Sequence, residues 1–166
     1  MGRALARHLF TCLAIGLAAS RVAAAVVVTF RPADSYSDVG HHGRDVAKTL
    51  AAINDHMQHL GTKYLAPDVT LVIEVIDINL AGEERFGPRS GGVETRVLTG
   101  RSDWPSMRVR YSLVRPGQAT TLGEETIADM DYLKRPVSQP GELAYEKRML
   151  EEWFKSRFAG QGKGSR

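Results

Sequence analysis

Apolar positions along the chain recur with two periods, and the period sets the element. Between Arg44 and Leu60 they stand at Val46, Leu50, Ile53, Met57 and Leu60, spaced four, three, four and three. A helix returns to the same face about every 3.6 residues, so this spacing predicts one amphipathic helix. Gly61 follows as a C′ residue, and Ala66-Pro67 bars any continuation. A second helical stretch runs from Glu142 to Phe158, with Leu143, Leu150, Trp153, Phe154 and Phe158 placed to dock it on a sheet.

The other apolar runs follow strand rules. Val26 to Phe30 is short and β-branched and ends at Arg31-Pro32. Val69 to Leu80 is aliphatic on both alternating faces, which puts it near the middle of a sheet. Met107, Val109, Tyr111 and Leu113 alternate with Arg108, Arg110 and Ser112, as in a half-exposed antiparallel strand. Pro116-Gly117 turns that strand into a partner over Ala119 to Ile127. A weaker strand is expected from Val93 to Thr99, where Glu94 and Arg96 share the polar face. Ala33 to Gly43 and the glycine-punctuated Ala81 to Gly92 read as loops. The order β, α, β, β, β, β, α predicts an α+β fold. Its expected form is a mostly antiparallel sheet of about five strands with two amphipathic helices on one face. One domain is expected over residues 26–159, with an unstructured tail over 160–166.

Composition changes the picture at the N-terminus. The 166 residues carry 22 Lys and Arg against 19 Asp and Glu. Arg3, Arg7 and Arg21 account for the whole excess, since no acid precedes Val26. Without that segment the balance is neutral, which argues against a nucleic-acid binder. Two arginines, an apolar run from Leu9 to about Ala19, and alanines at 23, 24 and 25 make the tripartite plan of a secretory signal peptide over residues 1–25. The apolar run is shorter than the ~20 residues needed to span a bilayer, so cleavage before Val26 is expected in preference to anchoring. Cys12, the single cysteine, lies inside the run and not after it, so lipidation there is not expected. The mature chain would then have no thiol for a disulfide, a nucleophile or a metal.

The phrases IEVIDINLAGE (73–83), TRVLTGRSDWPSMRVRYSLV (95–114), GEETIADMDYL (123–133) and YEKRMLEEWFKSRF (145–158) together resemble DUF3016. This is a family of small exported proteobacterial proteins whose function is undetermined. The resemblance covers nearly all of residues 26–159. It implies a bacterial source and a periplasmic or envelope location, and brings no catalytic residue with it. Members often carry a lipoprotein-type signal; this chain has no well-placed lipobox.

Candidate chemistry is sparse. His56 and His59 stand three apart, close enough to share a helix face and a metal with Asp55 near, but without HExxH spacing they read as surface histidines. His41 and His42 fall in a loop. Carboxylates gather at Glu124, Glu125, Asp129 and Asp131. Glu124 and Glu125 must point to opposite faces of a strand, so one needs a buried partner such as Arg108, Arg110 or Lys147. Asp129 and Asp131 fit capping and salt-bridge roles. Asp77 and Asn79 end the central strand before a glycine-rich loop, where binding residues are often held, though the same residues commonly satisfy loop backbone groups. Trp104 and the trio Trp153, Phe154 and Phe158 could form a binding surface, and more commonly such residues are core. No G-x-S-x-G elbow, P-loop or G-x-G-x-x-G turn occurs, so no cofactor is expected. The leading expectation is an exported, non-enzymatic envelope protein that binds another envelope component through a sheet edge or the 81–92 loop, with Asp77, Asn79 and Trp104 as binding candidates and no metal or nucleic acid. The competing one is a hydrolase using residues 124–131 or the His56/His59 pair.

Overall fold

A computed structural model describes residues 24–40, 43–86, 94–138 and 140–159. Residues 1–23, which hold most of the expected signal peptide, His41 and His42, the 87–93 part of the glycine-rich connection, Gln139 and the expected tail 160–166 lie outside the described residues.

The chain is α+β. Strand β1 (Ala25–Phe30) leads through a 3₁₀ turn at Ala33–Ser35 into helix α1 (Gly43–Tyr64), which returns it to the long strand β2 (Thr70–Asn79). A small hairpin of β3 (Glu83–Phe86) and β4 (Glu94–Val97) follows, then β5 (Ser106–Val114), β6 (Thr121–Ala128) and helix α2 (Ala144–Phe158). The main sheet has the order β1-β2-β5-β6. β1 runs parallel to β2 because a helix connects them, while β2–β5 and β5–β6 are antiparallel.

The sheet therefore has four strands and not about five. The segment expected as the fifth pairs instead with Glu83–Phe86, inside the stretch read as a loop, in a separate two-stranded sheet. Arg96 stands opposite Glu84 in that hairpin and also pairs with Asp38, and these two contacts hold the segment beside the chain after β1.

Every second residue of the strands faces the helices. Leu71, Ile73, Val75 and Ile78 on β2, Met107, Val109 and Leu113 on β5, and Ile127 on β6 form one core with Ile53, Met57 and Leu60 of α1 and Met149, Leu150, Trp153, Phe154 and Phe158 of α2. The aromatic trio at the C-terminus is thus core. A bulge at Ile76 shifts the register between Val75 and Asp77, which keeps Ile78 facing inward.

Gly61 does not end α1, which continues to Tyr64. A Cβ at Gly61 would lie 2.1 Å from Val26 Cγ2, so the glycine is there to let helix and strand approach, and Pro67 stops the helix beyond it. The β5–β6 turn forms as expected, with Gly117 at φ 71°, where L side chains are disfavoured.

Candidate functional site

Loops crowd the end of the sheet where β2 stops and β5 begins. Asp77 and Asn79 reach this end on β2, and both hold neighbouring chain. Asp77 Oδ1 accepts from the Ser37 N–H at 2.8 Å and its Oδ2 from the Ser37 hydroxyl at 2.9 Å. Asn79 Nδ2 donates to the Trp104 carbonyl at 3.2 Å. Asn79 and Trp104 are thus brought together, and Asp77 stands apart on Ser37. The Trp104 side chain is part-exposed.

Three buried carboxylates lock the same end, and sequence reading assigned two of them no site role. Asp103 accepts from the N–H groups of Thr99 at 2.6 Å and Arg101 at 3.1 Å, and the Tyr132 hydroxyl accepts from Gly100 N–H at 3.3 Å. Burial would raise the Asp103 carboxyl, but donors from Thr99 and Tyr132 outweigh it and hold it below the ordinary range. The only sequence signal for this staple was the turn-forming Gly-Arg-Ser-Asp run.

Asp129 accepts from Arg148 at 2.8 Å and from Arg135 at 2.9 Å. Its carboxyl is raised by burial and lowered further by these two guanidinium groups, ending below the usual value. Arg148 also donates to the carbonyls of Tyr132, Arg135 and Pro136, so one side chain of α2 gathers the 129–136 loop. Glu146, on the first turn of α2, accepts from the Ala81 N–H at 2.7 Å. Burial raises the Glu146 carboxyl, and the Ala81 donor and the charge of Arg96 offset this only in part. Arg96 itself donates to Asp38, Glu84 and the carbonyls of Ala81 and Gly82, tying the hairpin base to the chain after β1.

The remaining candidates do not converge. Glu124 faces outward and takes two bonds from Arg110. Glu125 faces inward, where Tyr111 Oη (2.8 Å), Trp153 Nε1 (3.2 Å) and Arg157 Nε (2.9 Å) all donate to it. Burial and then Glu125 raise the Tyr111 phenol. Of the expected partners, Arg110 serves Glu124, while Lys147 donates to the Glu142 carbonyl and Arg108 stands opposite Asp77. Asp131 pairs with Lys134 on the surface.

The histidine pair lines a separate groove of about 500 Å³ between α1 and α2, with Lys63, Lys147 and Glu151. His56 Nε2 donates to the Lys147 carbonyl at 2.9 Å, and burial lowers the imidazole pKa against that bond. His59 is exposed. Among the described residues no three His, Cys, Asp or Glu side chains are grouped to hold a metal ion.

Fold and site together define a small α+β module whose buried carboxylates fasten loops to a helix. The chain belongs to the family described as DUF3016, protein of unknown function, whose model matches residues 24–156. No curated protein and no solved structure matches it. Among the described residues no helix is long and apolar enough to cross a membrane.

Proposed function

We propose that the protein is exported to the bacterial envelope and acts there as a non-enzymatic binding module, presenting the loop end around Asn79 and Trp104 to another envelope component. One observation carries the binding reading. Leu98, Met130 and Leu133 stay exposed, Met130 to 65%, on the two loops that Asp103, Tyr132, Asp129 and Arg148 hold. Large apolar side chains on fixed loops lose little conformational freedom when a partner covers them, and that is the condition under which a small patch binds. In this reading Asp77 and Asn79 act from beneath by holding the chain at Ser37 and Trp104, and Trp104 with the three exposed residues makes the contact.

The leader supports export, and the family match begins at residue 24, beside the alanine run that would be cut. The test is site-specific photo-crosslinking in intact cells of the source bacterium. A probe at Met130 or Leu133 is expected to trap one discrete partner, and a probe at exposed Lys155 on α2 none. The adduct should vanish on Trp104→Ala, with the recovered chain starting at Val26 in the periplasmic fraction. Equal labelling from both faces, or full-length protein in the cytosol, would overturn the reading.

A further inference from the structure

The two described helices pack on one face of the main sheet, and the residues on the other face fall in rows set by the strand register. One row is charged. Glu74 on β2, Arg110 on β5 and Glu124 on β6 are in register, and Thr29 is the β1 residue opposite Glu74. Arg31, two residues further on, reaches back to extend the ladder: it donates to Glu74 at 3.0 Å, Glu74 accepts from Arg110 at 2.9 Å, and Arg110 donates to Glu124 at 2.9 Å. The signs run plus, minus, plus, minus across the sheet order β1-β2-β5-β6. All four side chains keep between 36% and 54% of their surface exposed. The adjacent row is Val27, Val72, Ser112 and Leu122, aligned by direct pairing. At its two ends Val27 is 47% and Leu122 76% exposed.

An even number of alternating charges is self-complementary under one symmetry. Let a two-fold axis lie parallel to the strands, between β2 and β5, and let two sheets pack face to face as in an aligned sandwich. Arg31 then meets the partner's Glu124, and Glu74 meets the partner's Arg110. In the next row Val27 meets the partner's Leu122, and Val72 meets the partner's Ser112. Turning the axis by 90° within the face would set each charge against its own copy, so the ladder selects a single orientation. Because the charges are already paired within the chain, association neither orders free side chains nor leaves an ion alone.

We propose that the sheet face opposite the two described helices is a homodimer interface, its occupant a second copy of this chain. β5 has nine residues and the sheet four strands, which gives a footprint of roughly 30 Å by 19 Å, or about 1,100 Å² over both copies. That is near the ~1,000 Å² a specific interface needs, so the dimer is a weak one, with a dissociation constant of roughly 1–100 μM. The face is distinct from the loop end, so failure of either reading leaves the other standing.

Sedimentation of the purified protein across concentration should show a reversible monomer–dimer equilibrium. Leu122→Glu changes a side chain that touches little in the monomer and places a carboxylate against the partner's Val27; dimerisation should weaken at least tenfold with the thermal melt of the dilute protein unchanged. A second variant inverts the whole ladder, Arg31→Glu, Glu74→Arg, Arg110→Glu and Glu124→Arg. It keeps the alternation within the chain and with its own copy, yet sets like charges against the wild type. Native mass spectrometry of a mixture should then show both homodimers and few mixed dimers. A monomer throughout the micromolar to millimolar range, a dimer indifferent to Leu122→Glu, or mixed dimers at the statistical ratio would each refute the interface. The first variant carries the test alone should the inverted ladder fail to fold.

Discussion

Gly61 of α1 lies against Val26 of β1 so closely that a Cβ on the glycine would fall 2.1 Å from Val26 Cγ2 and 3.3 Å from its Cβ. Two effects compete on substitution to alanine. Helix propensity favours alanine by about 1 kcal/mol, whereas forcing a methyl into a packed contact costs about 1–3 kcal/mol. The clash is with a short β-branched side chain that has little room to turn, so it should win. Gly61→Ala is expected to lower the stability measured by urea denaturation by about 1–2 kcal/mol. An unchanged or higher midpoint would show the helix and strand to be further apart than described.

Glu125 collects three donors from two elements: Tyr111 on β5 and Trp153 and Arg157 on α2. Glu125→Ala strands the phenol and the indole N–H in a largely buried place. Its expected cost is about 2–4 kcal/mol, and Glu125→Gln, which keeps an acceptor, should lose about half as much. Denaturation followed by tryptophan emission reads both, since Trp153 lies at the site. Equal losses for the two substitutions would mean that charge, and not the acceptor, holds the contact.

The acid limb of stability should be governed in part by Asp129. Its folded pKa lies below the ordinary value: burial acts upward, and the bonds from Arg148 and Arg135 more than reverse it. Such a group contributes stability that is present above the unfolded value of about 3.9 and is lost as pH falls through the folded value. Asp129→Asn should lower stability at neutral pH by about 3 kcal/mol, the penalty for leaving a buried guanidinium unpaired, and flatten the decline below about pH 4. Urea midpoints recorded from pH 2 to 7 check it; parallel curves for wild type and variant would contradict the assignment.

Glu146 acts in the opposite sense. Burial raises its folded pKa, so its contribution is complete below the unfolded value of about 4.3 and is lost as pH rises through the folded value. Glu146→Gln resembles the protonated form and still accepts from the Ala81 N–H. It is expected to stabilise the protein at neutral pH and to be nearly neutral at acid pH. Destabilisation at pH 7 would show that the ionised form, aided by Arg96, is the one that holds the hairpin base.

Much of the fold was legible as local pattern. The spacing of Val46, Leu50, Ile53, Met57 and Leu60 marks α1, and the alternation from Met107 to Leu113 marks β5, because each depends on residues a few positions apart. Where the reading failed, the deciding contact was distant. Gly61 looked like a helix end because the strand it must admit lies 35 positions away, at Val26. The segment around Arg96 looked like a fifth strand because Asp38, which helps hold it beside the chain after β1, is 58 positions away. Glu124 and Glu125 do point to opposite faces as the strand alternation requires, but the donors that Glu125 finds, Tyr111, Trp153 and Arg157, lie 14 to 32 positions away and were not among its expected partners.

The chain by itself determined the two helices, the four strands of the main sheet and which side of each is apolar, since backbone geometry converts short spacings directly into faces. Only the tertiary structure decided that β1 runs parallel to β2, that the 83–97 region leaves the sheet, and that Asp103, Asp129 and Glu146 fasten one loop end. The physical reason is that a buried charge must find its partner wherever the backbone brings one: Asp129 finds Arg148 19 residues away, and Glu146 finds the Ala81 N–H 65 residues away. Such pairings follow from packing in three dimensions and leave no periodic trace along the chain.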